Sequence, residues 1–368
     1  MNILLTNSTD IFAGGEEYVL ILARHLRLRG HQVWVSALPG HLLLTKCEQE
    51  GIPTVPVDFR GMSRVFEVSW ELRSHLRRLK IDVVHSNANY DRTCAAFAAI
   101  FTPTRHIAGI HSTHSIQHNI THWWRNRWGT DHFISDAEAG RQVLIIEDTI
   151  APERITPVPI GIENESEEFN ARAREMVRQE WGTGNSTVII GNVARLVPFK
   201  GHRFLLETIA LVSREYPDVF FPIIGDGELL ETLQQQARTL NIEKRVRFLG
   251  FRDNLQQIYP GFDIYCHSSL ELAAEMFPIA ILHALGTGLP VACTNVGGIS
   301  AMVREGRSGY LVPPEDPRSL ADALLNVIRD ESLRASMGRE SFDLFLKNFH
   351  ATTMAARVEA VYVNSLSG

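Results

Sequence analysis

The sequence has few cysteines, no excess of basic residues and no hydrophobic run long enough to span a bilayer. Its four cysteines, Cys47, Cys94, Cys266 and Cys293, are scattered without metal-ligand spacing, so we expect reduced thiols and not a disulfide framework. The formal net charge of -6 argues against nucleic acid as the main partner. A membrane-spanning helix needs about 20 apolar residues, and no window of the sequence approaches that length. We therefore expect a cytoplasmic protein that is either soluble or bound peripherally to the cytoplasmic face of the membrane.

The hydrophobic pattern predicts an α/β protein with two domains. Short apolar runs alternate with amphipathic helical ones, which is typical of parallel βαβ architecture. The 368 residues are too many for one compact core, and the pattern restarts at STVIIGNVAR after the linker-like stretch ITPVPIGIENESEEFN. We predict Rossmann-like domains at residues 1–163 and 164–348, with a C-terminal helix at about 349–368 that packs back onto the first. Because ligands bind at the carboxyl ends of such strands, two facing domains imply a cleft.

The turn after the first predicted strand contains two glycines, Gly14 and Gly15, followed by Glu16 and Glu17. Glycine lets the backbone approach a ligand, and the helix N-terminus that follows offers free N–H groups to an anion. The pair is not a GxGxxG fingerprint, so a nicotinamide cofactor is disfavoured. An ordinary βα turn is the alternative interpretation.

The segment GNVARLVPFKGH places two cations, Arg195 and Lys200, in a loop directly after a buried strand. Arginine makes forked contacts with phosphate oxygens and lysine supplies a point charge, so the pair suits a diphosphate. A solvated basic loop remains the alternative.

The segment EMFPIAILHALGTGLP, at residues 275 to 290, predicts a helix whose N-terminus faces a ligand. Pro278 suits the first turn of a helix, and the backbone from Phe277 to Ile279 would present N–H groups to a phosphate or a sugar hydroxyl. Glu275 precedes this helix and His283 lies on its second turn. Helical side chains lean toward the N-terminus, so His283 could face the same ligand as Glu275.

Taken in order, these segments resemble the family-4 retaining glycosyltransferases of the GT-B fold (glycosyltransferase group 1 type). The resemblance covers essentially the whole chain. The matching segments are GGEEYVLILARHLRLRGHQV, DVVHSN, AGIHSTH, FISDAEAGRQVL, NVARLVPFKGH, PIIGDGELLETL, VRFLGF, EMFPIAILHALGTGLPVACTNVGG and EGRSGYLVPPEDP.

The resemblance implies roles for individual residues. Arg195 and Lys200 match the pair that binds the donor diphosphate and stabilises the departing nucleotide. Glu275 matches the first glutamate of the Glu-x7-Glu motif, which binds donor-sugar hydroxyls. His111 matches a histidine that contacts the donor sugar and the transition state, although a packed polar residue is an alternative there. The other residues predicted to bind the donor are Gly14, Gly15, Gly225, Asp226, Gly227, Phe248, Gly250, Phe251, Phe277, Pro278, Ile279, His283, Gly297 and Gly298.

The sequence also departs from the family pattern. The second glutamate of the motif, which accepts hydrogen bonds from the ribose hydroxyls, is His283 here, and the glutamate after the Gly-Gly pair is Ala301. The usual Asn-Gly before the linker is Ile160-Gly161. About four extra residues precede Glu275, so Glu271 is a second candidate for the start of the motif. A neutral imidazole has one acceptor and one donor, so His283 either weakens donor binding or packs elsewhere.

No Asp-x-Asp pair occurs in the sequence, and this pair is the usual acidic metal site of the other large glycosyltransferase fold. We therefore expect a metal-independent reaction in which a nucleotide diphosphate sugar is the co-substrate and no cofactor is used. The nearby histidines His111, His114, His118 and His122 lack cysteine or carboxylate partners at ligand spacing, which disfavours zinc.

The run HNITHWWRNRW, at residues 118 to 128, combines three tryptophans with two arginines. Such a mixture suits a membrane interface or an anionic lipid-linked acceptor, although a helix packed on its tryptophans is equally consistent with it. The resemblance implies an acceptor-binding N-terminal domain and a donor-binding C-terminal domain. We expect retaining transfer of a hexose-type sugar, from a UDP or GDP donor, to a glycan or lipid-linked acceptor during synthesis of bacterial cell-envelope polysaccharide or lipopolysaccharide. The alternatives are a non-catalytic GT-B relative that binds a glycan or an enzyme, and a nucleotide-sugar epimerase.

Overall fold

A computed structural model of the chain describes residues 1–11, 14–112, 114–184, 186–270 and 277–367. The chain divides into two compact units. Unit 1 contains Met1–Ile162 and Ala351–Gly368, and unit 2 contains Glu163–His350. Glu271 and Glu275, the two candidates for the first motif glutamate, lie outside the described residues.

Unit 1 is built on a parallel sheet that has six strands within the described residues, in the order β2-β1-β3-β4-β5-β6. The order reverses between β1 and β3, and parallel sheets of this kind bind ligands at such switch points. The strands are β1 (Asn2–Thr6), β2 (Gln32–Ser36), β3 (Val83–Ser86), β4 (Arg105–Ile110), β5 (His132–Ser135) and β6 (Ile155–Pro157). The helices are α1 (Gly14–Leu28), α2 (Leu42–Gln49), α3 (Val65–Arg78), α4 (Asn89–Ala99), α5 (Ile120–Trp128), α6 (Glu138–Ile146) and α14 (Ala351–Ser367).

Unit 2 contains a second parallel sheet, again of six strands within the described residues, in the order β12-β11-β10-β7-β8-β9. Its switch point lies between β7 and β10. The strands are β7 (Val188–Val193), β8 (Val219–Ile224), β9 (Val246–Phe248), β10 (Ile264–His267), β11 (Val291–Thr294) and β12 (Gly309–Val312). The helices are α7 (Glu167–Trp181), α8 (His202–Glu215), α9 (Leu230–Thr239), α10 (Leu255–Ile258), α11 (Ile279–Gly286), α12 (Pro317–Arg329) and α13 (Glu331–Asn348). The two sheets confirm the predicted α/β class with two Rossmann-like folds.

The predicted linker stretch is partly structured. Its first residues form β6, and its acidic end is the first turn of α7, where the Ser166 hydroxyl caps the helix by accepting a hydrogen bond from the Phe169 N–H (3.2 Å). Glu167 and Glu168 occupy that first turn, where negatively charged side chains interact favourably with the helix dipole. The acidic residues therefore begin a helix, which low apolar content alone did not indicate.

Two other local predictions need adjustment. The short apolar run TVPVDF, at residues 54 to 59, is predicted as a strand by the alternating pattern, but it forms none and contributes one isolated bridge, between Thr54 and Val35. Pro278 lies one residue before α11 with extended backbone (φ -67°, ψ 110°), so the helix begins at Ile279.

The C-terminal helix α14 buries an apolar face within unit 1. Met354, Ala355, Val358 and Tyr362 are buried, and the helix packs against α1. The four cysteines are free and buried. Within the described ranges, no helix combines the length and the apolarity needed to cross a membrane.

Candidate functional site

The loop after β7 carries the two predicted diphosphate-binding cations at the switch point of the unit 2 sheet. The guanidinium carbon of Arg195 lies 5.7 Å from the centre of the Phe199 ring, and the Lys200 ammonium lies 5.4 Å from it. Arg195 is exposed and Lys200 is half-buried. Both cations thus contact the same aromatic ring in a loop of seven residues, from 195 to 201, and an anion is the ligand that such a pair would bind.

The N-terminus of α8 adds to the positive character of this loop. The helix begins at His202, directly after Lys200 and Gly201, and no side chain of the described residues caps it. The first turn of such a helix has N–H groups available for an anion. Burial lowers the pKa of His202 to about 3, so its imidazole is neutral and the charge comes from the two cations and the helix terminus.

The loop is held on one side by the turn after β8. The Leu196 N–H donates to the Asp226 carbonyl (2.9 Å), and the Gly225 N–H donates to the Gly250 carbonyl after β9 (2.9 Å). Gly225 has φ 137°, and a Cβ there would lie 1.9 Å from the Ala194 carbonyl oxygen. Only glycine fits this close approach of two backbones.

The loop after β10 holds the other side. The Ser268 hydroxyl donates to the Lys200 carbonyl (2.9 Å), and the Leu270 N–H donates to the Phe199 carbonyl (2.8 Å). Gly201 adopts φ 67°, and a Cβ there would lie 1.9 Å from the Ser268 carbonyl oxygen. The conformation of the cationic loop is therefore set by backbone contacts with both neighbouring strand ends.

The other predicted donor-site residues of unit 2 occupy the same edge of the sheet. Asp226 accepts from the Gly227 N–H through its side chain (2.8 Å). Phe248 ends β9 and packs against the core, whereas Phe251 is 77% exposed. Gly297 and Gly298 lie in the turn after β11, which is joined to the β10 loop by the Thr294 hydroxyl donating to the Ser269 carbonyl (2.6 Å). The strand-end turns of β8, β7, β10 and β11 thus form a connected series.

The α11 region lies partly outside the described residues. Phe277 is buried, with its ring centre 5.5 Å from that of Phe349. The His283 ring lies 5.4 Å from the Tyr259 ring, and His283 lines a small pocket with Asn164, Gln256 and Thr287. Burial lowers the pKa of His283 to about 4, so it is neutral at physiological pH. The Tyr259 ring that it contacts belongs to the turn directly after α10.

In unit 1, His111 follows β4 in a polar cluster. Its Nδ1 lies 2.9 Å from an Asp136 carboxylate oxygen, and its Nε2 lies 3.4 Å from the Asn87 side-chain oxygen. Burial would lower the pKa of His111, but the charge of Asp136 and its hydrogen bond outweigh this and raise it. Gly14 and Gly15 begin α1, and a Cβ at Gly15 would meet open space.

Sequence reasoning missed three polar residues of this cluster: Asn87, Asp91 and Asp136. Asp91 is fully buried and accepts hydrogen bonds from the hydroxyls of Thr6 (2.6 Å) and Ser8 (2.9 Å). A signal was available, because Asn87 and Asp136 lie in DVVHSN and FISDAEAGRQVL, two of the segments that carry the family resemblance, and each directly follows a strand. Nowhere in the described part of the chain do three His, Cys, Asp or Glu side chains form a group that could hold a metal ion.

Comparisons with known proteins agree with this architecture. Residues 12–166 match the family described as Glycosyltransferase Family 4, and residues 173–343 match Glycosyl transferases group 1. The structure of Anabaena HepE in complex with UDP has a TM-score of 0.83 at 22% identity and covers 99% of this chain and 100% of that one. The fold is therefore that of the GT-B glycosyltransferases.

Two relatives are similar to this chain in sequence. D-inositol 3-phosphate glycosyltransferase of Corynebacterium glutamicum (strain R) is 31% identical over 225 residues, 59% of this chain and 53% of the relative. UDP-Gal:alpha-D-GlcNAc-diphosphoundecaprenol alpha-1,3-galactosyltransferase of Escherichia coli is 25% identical over 301 residues, 78% of this chain and 77% of the relative. The match thus spans about half the length of the corynebacterial relative. The chain belongs to the family-4, group 1 glycosyltransferases.

Proposed function

We propose that this protein is a retaining glycosyltransferase that moves a hexose-type sugar from a nucleotide diphosphate sugar to a glycan or lipid-linked acceptor. The observation that carries the proposal is the Arg195 and Lys200 pair on the Phe199 ring, at the switch point of the unit 2 sheet. Negative charge develops on the leaving diphosphate when the sugar C1–O bond breaks, and two preorganised cations stabilise that charge.

The proposed reaction needs no side-chain nucleophile. The acceptor hydroxyl attacks C1 on the face from which the diphosphate departs, the new C1–O bond keeps the configuration, and a leaving phosphate oxygen takes the acceptor's proton. His111 is proposed to contact the donor sugar, as the family resemblance implies, and Glu275 to bind its hydroxyls. The reaction is proposed to proceed without a metal ion.

The names of the compared proteins favour particular substrates. HepE was solved with UDP, and the Escherichia coli relative is named for UDP-Gal, so uridine is the base to test first. One relative is named for D-inositol 3-phosphate and the other for a diphosphoundecaprenol-linked sugar. Both names contain phosphate, which supports an anionic or lipid-linked acceptor and a role in cell-envelope glycan synthesis.

One observation favours a different function. His283 replaces the carboxylate that accepts from the ribose hydroxyls, and burial keeps it neutral by lowering its pKa to about 4. A GT-B relative that binds a glycan or a partner enzyme without transferring sugar would tolerate that loss. An epimerase would differ again, because it would turn over donor in the absence of acceptor.

The test is thermal shift with UDP, GDP and their sugar conjugates, followed by transfer assays on Arg195→Ala and Lys200→Ala. We expect UDP to raise the melting temperature of the wild type, and each substitution to lower transfer about 100-fold while the fold is kept. The matched control is Arg214→Ala, which removes an exposed arginine from the last turn of α8, at the opposite end of that helix from the site. If no nucleotide raises the melting temperature, or if Arg195→Ala transfers sugar like the control, the proposal is wrong.

We also propose that unit 1 binds the membrane surface through an aromatic and basic surface on α3 and α5, formed by Phe66, Trp70, Arg77, Arg78, Trp123, Arg127 and Trp128. Phe66, Trp70 and Trp128 are 74%, 72% and 66% exposed. Phe97 of α4 joins the two helices, because it packs on Phe66 (5.2 Å between ring centres) and stacks on Trp124 (4.7 Å). Exposed aromatic rings beside arginines suit an anionic lipid interface.

A further inference from the structure

The hydrogen-bond partners of His111 define its protonation state. Its Nδ1 faces both oxygens of Asp136, at 3.0 and 2.9 Å. Its Nε2 faces the side-chain oxygen of Asn87 at 3.4 Å. A carboxylate accepts hydrogen bonds and cannot donate them when ionised, so the side facing Asp136 requires an N–H on Nδ1.

On the Nε2 side of the ring, the orientation of the Asn87 amide is fixed by its own hydrogen bonds. Its nitrogen donates to the backbone carbonyls of Thr6 (3.1 Å) and His85 (3.2 Å). Rotating the amide by 180° would place its oxygen against two carbonyl oxygens and lose both hydrogen bonds. The network therefore assigns the amide orientation, and the Asn87 oxygen must face His111.

An acceptor thus faces each nitrogen of the ring, and only the doubly protonated form of histidine has two N–H donors. We infer that Asn87 and Asp136 hold His111 as an imidazolium in the ligand-free protein. Asn87 and Asp136 are positioning residues in this arrangement, because they act through the ring. The consequence for catalysis rests on the proposed function: the ring would present a fixed positive charge to the donor sugar and the transition state, and that charge stabilises an oxygen that gains negative charge.

The charged and titratable groups around the ring support this assignment on balance. Asp136 after β5 and the buried Asp91 on α4 favour the cation, whereas Arg92 on α4 opposes it. Burial lowers the pKa of His85 on β3 to about 3, so that ring is neutral, and its Nδ1 lies 2.6 Å from the Tyr362 hydroxyl of α14. Burial also keeps Tyr18 of α1 protonated by raising its pKa, and its ring meets His111 edge-on at 4.9 Å.

A glycine in β4, Gly109, gives the side chains of this cluster the space to approach one another. A Cβ at Gly109 of β4 would lie 2.9 Å from the Asn87 oxygen and from His85 Nε2, and 3.2 Å from His111 Nε2. Any larger residue would separate these three polar atoms. The glycine therefore gives Asn87 its direct approach to the histidine ring.

The test is an NMR titration of the imidazole signals in the ligand-free full-length protein. Because the chain has 15 histidines, the His111 signals are assigned as those that disappear in His111→Gln. We expect the pKa of His111 to lie above that of an ordinary histidine in the wild type, and to fall in Asp136→Asn.

Two substitutions at Asn87 separate a charge effect from a structural one. Asn87→Ala removes the acceptor, so the pKa of His111 should fall. Asn87→Asp keeps an acceptor and adds a charge, so the pKa should rise, even though the carboxylate no longer donates to Thr6 and His85. A purely structural role predicts that both variants, having lost the same two donor bonds, shift the pKa in the same direction.

The NMR titrations test the inference without any substrate. A wild-type pKa of His111 at or below the ordinary value overturns the inference, as does a shift in the same direction for Asn87→Ala and Asn87→Asp. If either variant fails to fold, the wild-type titration still decides. Failure of nucleotide binding would overturn the proposed function and leave this titration unaffected. For the active enzyme we expect kcat of Asn87→Ala at pH 8 to be about tenfold lower than that of the wild type, because less of His111 is then protonated. This loss is smaller than the loss of about 100-fold caused by removing an electrostatic donor. The kcat of the variant should approach that of the wild type as the pH is lowered and His111 is protonated again.

Discussion

At the residue scale, Phe199 explains how two like charges can share one short loop. Arg195 and Lys200 each lie within 6 Å of its ring centre, where the negative face of an aromatic ring attracts a cation. This attraction offsets part of the repulsion between the cations. A diphosphate bound at this loop would place its negative charge beside both cations.

His283 raises a question that one substitution can answer. A glutamate can accept from both ribose hydroxyls, and a hydrogen bond to a charged group contributes about 1.5–3 kcal/mol, so we expect His283→Glu to tighten UDP binding about 10- to 100-fold. The measurement is the dissociation constant of UDP by calorimetry. Because burial disfavours a carboxylate, the free energy of unfolding should fall at the same time.

The control for this substitution is His118→Glu, at an exposed position shortly before α5 in unit 1, which should leave UDP affinity unchanged. An affinity for UDP that is equal in His283→Glu and in the wild type would mean that His283 does not face the ribose. Its contact with Tyr259 (5.4 Å between ring centres) would then be its role.

At the scale of secondary-structure elements, four successive strand ends of unit 2 are joined through their loops. The sequence already indicated Gly225 and Gly297 as residues that bind the donor. The reason for a glycine at 225 lies outside its own segment, because the clash it avoids is with the Ala194 carbonyl, about 30 residues earlier in the chain. A sequence pattern indicates a tight turn, but it does not identify the backbone on which the turn packs.

The aromatic and basic surface on α3 and α5 leads to a prediction for lipid binding. We expect the protein to sediment with vesicles that contain phosphatidylglycerol. The double variant Trp70→Ala/Arg77→Ala should bind these vesicles about tenfold more weakly. The reason is that an arginine near an anionic surface contributes about 1 kcal/mol and the tryptophan ring adds buried apolar area. Binding should also weaken as salt is added.

The matched control for the vesicle assay is Met176→Ala/Arg172→Ala. It removes one exposed apolar side chain and one exposed arginine from α7 of unit 2. If both double variants sediment like the wild type, or if neutral phosphatidylcholine vesicles bind the wild type as well as the anionic ones, this surface is not an electrostatic membrane-binding site.

The sequence of the aromatic run at 118 to 128 was consistent with a membrane-facing surface and with a helix packed on its tryptophans. Each interpretation applies to a different tryptophan. Trp124 stacks on Phe97 inside unit 1, whereas Trp128 is 66% exposed with the Arg127 guanidinium 5.3 Å from its ring centre. The exposed rings of α3, which lie in an ordinary amphipathic pattern, were not predicted to belong to the same surface. Only packing through α4 brings them together.

At the scale of the whole molecule, buried histidines make stability depend on pH. His85 and His106 are fully buried in unit 1 and His202 is 1% exposed in unit 2. Burial lowers their pKa values to about 3, about 4 and about 3. Since the unfolded chain binds these protons near pH 6.5, stability should be fully present above that pH and fall as the pH decreases toward 4, by up to about 1.4 kcal/mol per pH unit for each group.

The measurement is urea unfolding at pH 7.0 and 5.0 for the wild type, His202→Asn and the exposed-site control His114→Asn. The loss of stability between the two pH values should be smaller in His202→Asn, because asparagine does not bind a proton. It should be unchanged in the control. Equal losses in all three proteins would show that His202 does not remain neutral in the folded state.

The sequence by itself determined the α/β class, the two Rossmann-like sheets and the family, because alternating apolar runs and strand-end motifs are local patterns that need no knowledge of packing. It also indicated Arg195 and Lys200 through their position after a strand, and His111 through the family resemblance. Only the tertiary structure decided what surrounds them. Asn87 and Asp136 meet His111 from separate strand ends, and the Arg195 loop rests on Gly225 and Ser268, because parallel strands bring segments far apart in the chain to one edge of a sheet.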